Sequence, residues 1–186
     1  MTLNRTVKHR VTGEEITFVE TAAETGGKYL LIEVALPPQG DGPPLHVHDQ
    51  FEEEFEVLEG VLTVTVGKDK HELAAGDTIK ATRGTAHTFT NNADAPVRFR
   101  VRLTPPSGFE ESVRIHYGLM DDGLTDAKGN PKRLAHTALV LGLQNTWIAG
   151  VPLGLQKRIF KLVIKRGVKS GAYDGFEKYT GRKLEL

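Results

Sequence analysis

The chain has no cysteine among its 186 residues, which excludes disulfide staples, a thiolate nucleophile and any Cys-based zinc site. It also lacks a long uninterrupted apolar run. The longest weakly apolar stretch, residues 138–155, is broken by Gln144, Asn145 and Pro152, and makes a poor transmembrane span. The first ten residues carry Arg5, Lys8 and Arg10 but no apolar region of the kind a secretory signal requires. A cytoplasmic location is the default expectation. Net charge is zero, which argues against wholesale nucleic-acid binding. Acid is missing from one segment altogether. Residues 133–173 hold seven Lys/Arg and no Asp/Glu, whereas residues 1–132 hold 14 Lys/Arg against 21 Asp/Glu. An acidic body and a basic C-terminal segment share one chain.

The length suits one domain with room for an extension. A hydrophobic share of 39% and a charged share of 26% are ordinary for a globular protein, so an apolar core, not a metal alone, can hold the fold. Short alternating runs predict strands over 15–20, 28–36, 54–59, 61–66, 70–73, 77–81, 87–90 and 97–103, separated by Gly, Pro and Asn turn chemistry. Many short strands at this spacing mean a sandwich or small barrel. Alternation assigns their faces. Val97, Phe99, Val101 and Leu103 point one way, and Arg98, Arg100 and Arg102 the other. Leu62, Val64 and Val66 should point in, with Thr63 and Thr65 out. The arginines read as a solvated or dimer-facing surface. After Pro105-Pro106 the pattern turns helical, over 110–120, 131–144 and about 152–167, with Asn130 as N-cap and Pro131 at the first helical position.

Chemistry concentrates between Gly42 and Gly60. His46 and His48 are two apart, so on a strand both imidazoles leave one face. Two neutral imidazoles and a carboxylate suit Fe, Mn, Ni, Co, Cu or Zn. Four acids follow, Glu52, Glu53, Glu54 and Glu56, and parity chooses among them. Glu53 shares its face with Phe55 and Val57, while Glu52, Glu54 and Glu56 share the solvated face. Glu53 is the inward carboxylate. His87 alternates with Phe89; by itself it reads as a packed core histidine or as a ligand. His9, His71, His116 and His136 have no ligand partner in the sequence and are assigned no metal.

Together the two segments resemble the paired motifs of the cupin superfamily, G-x5-H-x-H-x3,4-E-x6-G and G-x5-P-x-G-x2-H-x3-N. Gly40, His46, His48, Glu53 and Gly60 follow the first; Gly76, Gly84, His87 and Asn91 follow the second, with Thr82 where the family usually has proline. The resemblance covers about residues 28–106. It implies a mainly β fold, a double-stranded β-helix (jelly-roll) barrel over residues 1–107 followed by a helical extension over 108–186 packed on it. It implies that His46, His48, Glu53 and His87 hold a divalent first-row transition metal, and that the barrel is a homodimer. The expected activity is oxygenase-like turnover of a small organic molecule, resembling the small quercetin-dioxygenase-like cupins, with Glu53 as both ligand and catalytic base. The alternatives are a non-catalytic metal- or ligand-binding module and a Lewis-acid isomerase or decarboxylase.

The tail carries Lys157, Lys161, Lys165 and Lys169 at i, i+4 steps among Leu155, Ile159, Phe160, Leu162, Val163 and Ile164. Like charges at that spacing oppose a helix by about 0.2–0.5 kcal/mol per pair, while each buried apolar side chain is worth about 1.5–3 kcal/mol. The expectation is that the tail helices dock on the chain's own barrel or on its dimer mate. Leu134, Ala138 and Leu141 should line one helix face, and the second helix should bury three or four side chains of its wide apolar face. Peripheral membrane contact through 152–169 is the less favoured reading.

Overall fold

The computed structural model describes residues 3–186. Eleven strands form two antiparallel sheets, four helices following or flanking them. The strands are β1 (Thr6–Lys8), β2 (Glu15–Glu20), β3 (Leu30–Leu36), β4 (His46–His48), β5 (Glu52–Glu59), β6 (Val61–Val66), β7 (Asp69–Ala74), β8 (Thr78–Ala81), β9 (His87–Thr90), β10 (Val97–Thr104) and β11 (Thr146–Ile148). The helices are α1 (Phe109–Asp121), α2 (Leu134–Leu143), α3 (Leu153–Lys169) and α4 (Glu177–Thr180). One sheet runs β1-β2-β3-β10-β5-β8 and the other β11-β4-β9-β6-β7, the two-layered jelly roll. No helix among the described residues is long and apolar enough to cross a membrane.

The alternating strands bury the faces that their side chains dictate. β3 and β10 alternate buried and more exposed residues along their whole lengths. Phe18, Leu30, Phe55, Leu62, Phe99 and Leu103 are wholly buried between the sheets. The outward arginines of β10 meet acids across the ladder: Arg98 donates to Glu33 at 2.6 Å, and Arg102 lies over the Tyr29 ring. Such exposed pairs contribute about 0–1 kcal/mol each. Gly60, at φ 82°, must be glycine twice over, because a Cβ there would sit 2.8 Å from the Pro96 carbonyl oxygen.

Several expectations are corrected. Thr63, on the face opposite Leu62 and Val64, is buried rather than solvent-exposed, and its hydroxyl accepts a hydrogen bond from Asn92 Nδ2 at 3.0 Å. The second helix starts at Leu134 behind an extended Arg133. Asn130 and Pro131 belong instead to the turn before it, where the Asp126 carboxylate accepts from the Lys128 and Asn130 amides and Pro131 bridges to Thr125. The face of α2 also differs. Leu134 is 66% exposed while His136, Ala138, Leu139 and Val140 are buried, because α2 is packed between α1 and α3 and buries more than one side. α3 departs furthest. Its buried residues are Gln156 and Gly167, whereas Leu155, Ile159 and Leu162 stay open to solvent. Finally, the segment after residue 107 contains a strand, β11, which pairs with β4 in the register Thr146↔His48, Trp147↔Val47 and Ile148↔His46.

Where α1 packs beside the N-terminal strands, Tyr117 donates to Glu14 Oε2 at 3.2 Å. Burial pushes the Glu14 carboxyl up to about 7. A carboxyl raised in the folded state contributes stability that is complete below its unfolded pKa and is lost as pH rises through the folded value. Glu14→Gln therefore leaves stability at pH 4 nearly unchanged and raises it at pH 8 by roughly 1 kcal/mol, discounting for partial solvent access. Urea midpoints at the two pH values check this.

Candidate metal centre

His46 and His87 stand opposite one another in the antiparallel pairing of β4 with β9. His48, two residues on, shares the face of His46. Glu53 arrives from the other sheet, held between Ala81 of β8 and Leu103 of β10. Both layers thus contribute to one cluster, in which a ligand atom from each of the four residues lies within 4.8 Å of the others. All four are buried, none more than 6% exposed. Phe51 stacks on the His48 ring at a centroid distance of 4.1 Å. Glu54 and Glu56 face solvent and Glu52 is half-buried on that side, paired with Lys80. Among the described residues this is the one group with metal-ligand spacing.

The hydrogen bonds fix how each ring is turned. Nδ1 of His46 lies 2.8 Å from the Pro44 carbonyl oxygen, Nδ1 of His48 3.0 Å from that of Asn145, and Nδ1 of His87 2.9 Å from that of Thr85. A carbonyl only accepts, so all three Nδ1 atoms carry the proton and donate. In a neutral ring the Nε2 lone pair then points into the cluster. Nε2 of His46 and His48 are 3.0 Å apart, two lone pairs face to face, and a carboxylate adds its own. Nε2 of His87 meets Glu53 Oε2 at 2.9 Å and Nε2 of His48 lies 3.8 Å from Glu53 Oε1.

Donor geometry fits a cation. With bonds of about 2.0–2.2 Å, neighbouring ligands in an octahedron stand about 3 Å apart and opposite ones about 4.2 Å. The separations of 3.0 Å between His46 and His48, 2.9 Å between His87 and Glu53 and 3.8 Å between His48 and Glu53 match about that range. Backbone carbonyls oriented on the far nitrogens are the outer support that metal-binding imidazoles ordinarily have.

Electrostatics keep the donors available. Burial, helped by the neighbouring His87 and His48, pushes His46 down to about 4, so it is neutral at physiological pH. His48 is lowered chiefly by burial. Burial alone would raise the Glu53 carboxyl, but the hydrogen bond with His87 and the nearby imidazoles outweigh it and hold it below the usual carboxylate range. Burial would likewise lower His87, and Glu53 reverses that. A metal has to displace the shared proton of this pair, so its binding weakens as pH falls.

Turn residues of the second motif serve the cluster. Gly84, at φ 77°, donates its N–H to the His48 carbonyl oxygen at 2.7 Å. Asn91 is buried and donates to the Pro37 and Ala95 carbonyl oxygens, both at 2.8 Å, pinning the far end of β9. Thr82, standing where the motif usually has proline, closes its turn by another route. Its hydroxyl lies 2.9 Å from that of Thr85, whose N–H donates to the Thr82 carbonyl oxygen. Three of the other histidines have structural roles: His116 bonds the Gly129 carbonyl oxygen, His136 that of Ala172, and His9 accepts from the Thr12 amide, while His71 is exposed on β7.

Sequence reasoning missed Asn145. It is buried, at φ 51°. Its carbonyl holds His48, and its side-chain oxygen accepts from the Asp49 and Gln50 amides at 2.8 and 2.9 Å. Asp49 is clamped in turn by Trp147 Nε1 at 3.0 Å and by an ion pair with Lys157. Gln156 closes the far side of β11, accepting from the Ile148 amide and donating to the Ile148 and Val151 carbonyl oxygens. An asparagine directly after an apolar helical run was the available signal, since Asn enters the left-handed region more readily than most residues.

Comparisons with known proteins agree with this architecture. The cupin domain family model matches residues 32–103. An uncharacterized protein of Methanocaldococcus jannaschii is 33% identical over 78 residues, 42% of this chain and 62% of that protein; the match thus spans less than two thirds of its length. Among solved structures, one from Thermotoga maritima described as a predicted oxalate decarboxylase superposes with a TM-score of 0.50 at 18% identity, covering 56% of this chain and 99% of that one. A sugar phosphate isomerase of the cupin superfamily from Silicibacter pomeroyi has a TM-score of 0.45 at 26% identity, over 50% of this chain and 60% of that one. Over residues 32–103 the barrel of this chain is similar to the cupin domain family.

Proposed function

We propose that the chain is a metal-dependent enzyme acting on a small organic molecule, with His46, His48, Glu53 and His87 holding one divalent first-row ion. The observation that carries the proposal is the convergence of three Nδ1-protonated imidazoles and one carboxylate in a buried cluster. Four protein donors leave positions open in an octahedral shell, and a bound Fe, Mn, Ni, Co, Cu or Zn would supply Lewis acidity or, for the redox-active ions, oxygen chemistry there. Oxygenation is the favoured class. The residues of the chain orient the donors, exclude water through Phe51 and the barrel core, and keep His46 neutral. Glu53 serves as ligand; a carboxyl held below its usual range is a weak base, so the proposal does not give it the base role. The small-molecule substrate and the homodimer belong to the same proposal.

The alternative is a metal- or ligand-holding module without turnover, and the near-complete burial of all four donors favours it. Two measurements separate the readings. Protein loaded separately with iron, copper, nickel and manganese is screened with aromatic and dicarbonyl compounds in an oxygen electrode, and oxygen uptake is expected with at least one metal. Water-proton relaxation of the manganese form reports whether solvent reaches the ion. No uptake with any metal, together with no relaxation enhancement, rejects the enzyme in favour of the module.

A further inference from the structure

α3 is docked by one side only. Phe160, Val163 and Ile164 are half-buried along the side that meets α2, and Phe160 packs beside Trp147. Leu155, Ile159 and Leu162, at i, i+4 and i+7, share a face that points into solvent, with exposures of 53%, 47% and 49%. Ile148 at the end of β11 and Val151 in the turn leading into the helix are also exposed. Soluble proteins rarely leave apolar side chains contiguous in this way without a partner for them.

The charges around this face are of one sign. α3 carries six cations and no acid. Lys157 is engaged by Asp49. Among the described residues, Arg158, Lys161, Lys165, Arg166 and Lys169 have no acid within salt-bridge distance. The other flank of the helix repeats the design. A groove of about 660 Å³ between α2 and α3 has an apolar floor that includes Leu139, Leu143, Phe160 and Ile164, and Lys157, Lys161, Lys165 and Lys169 along its lining. Apolar surface thus lies on either side of the cationic stripe of α3, whose members other than Lys157 have no acidic partner among the described residues.

We infer that α3 is the contact of this chain with an anionic lipid bilayer. The helix lies in the headgroup region with Leu155, Ile159 and Leu162 inserted, while the lysines and arginines reach lipid phosphates along their flexible stems. Charge decides against α3 of a second copy as the occupant. A two-fold contact of α3 with itself would set six cations against six with no acid between them. A bilayer demands no shape complementarity from a convex, basic helix, and its negative surface matches the sign of every charge on α3.

The test is flotation of the full-length protein with vesicles of phosphatidylcholine alone or mixed with phosphatidylglycerol, at low and at high salt. The expected result is co-flotation with the mixed vesicles at low salt and little with phosphatidylcholine or at high salt. Lys161→Gln/Lys165→Gln/Lys169→Gln should lower partitioning on the order of a hundredfold. Leu155→Gln/Ile159→Gln/Leu162→Gln should also release the protein, with unchanged far-UV dichroism and metal content as the control for folding. Absence of flotation with the mixed vesicles overturns the inference. So does binding that the leucine-face variant leaves intact, which would be bare charge attraction. A wild-type oligomer that this variant dissolves in sedimentation velocity without lipid assigns the face to a second copy, and overturns it equally.

Discussion

His87→Ala strips the metal and lowers the stability of the metal-free protein by about 3–5 kcal/mol, because it leaves the buried Glu53 carboxylate without its partner. The 2.9 Å contact between His87 Nε2 and Glu53 Oε2 joins two side chains that are nearly without solvent, and water cannot replace the lost imidazole. Native stability is typically about 5–15 kcal/mol, so the barrel is expected to remain folded at low temperature, supported by an apolar core that does not include the ligands. Adding Glu53→Gln removes the stranded charge and should recover part of the lost stability without restoring the metal. His48→Ala also loses the metal, with a smaller stability cost, since its oxygen contact to Glu53 is 3.8 Å. Metal content by elemental analysis and urea unfolding of the metal-free forms are the readouts. Wild-type metal stoichiometry in either single variant would falsify the assignment of the ligands.

Asn145→Val is expected to weaken metal binding by roughly 10–100-fold, the usual effect of disturbing the outer support of a ligand. Valine at φ 51° is a severe strain for a β-branched residue. Its relief moves the carbonyl that holds His48 Nδ1 and removes the oxygen that receives the Asp49 and Gln50 amides. Asn145→Gly separates the two effects. It keeps the carbonyl and tolerates the backbone angle, so affinity should fall much less, while the two orphaned amides lower stability by about 1–3 kcal/mol. Competition titration against a chelator measures affinity, and nitrogen chemical shifts of the His48 ring report its tautomer. Equal affinity in the valine variant and the wild type would remove Asn145 from any role in positioning His48.

Much of the barrel could be read from alternation alone, because a strand between two layers has a period of two and one buried face. The same parity picked Glu53 out of four neighbouring acids, and the structure places it inside with Glu54 and Glu56 outside. The strand β11 was not legible. Its three residues follow an apolar helix, and its pairing is decided by β4, nearly a hundred positions earlier, rather than by local pattern. α2 misled for a related reason. A helix packed between two others buries several sides, so spacing that marks one face says little about which side chain ends up exposed, as Leu134 shows. On α3 the apolar count was right and the inference from it was not. Burial requires a surface to bury against, and α2 offers one only to Phe160, Val163 and Ile164.

The two supports of the metal cluster are made at different times. All four donors have been synthesised once the ribosome passes His87, yet the carbonyl that holds His48 lies 97 residues beyond that histidine. A nascent barrel that folds as it emerges therefore presents a complete set of ligands with one ring unpinned, and an exposed β4 edge in place of its β11 neighbour. Metal offered at that moment meets a weaker site than metal offered to the finished chain. Proteolytic clipping ahead of Asn145 would return the protein to the same state, loosening the candidate metal site without touching a single ligand.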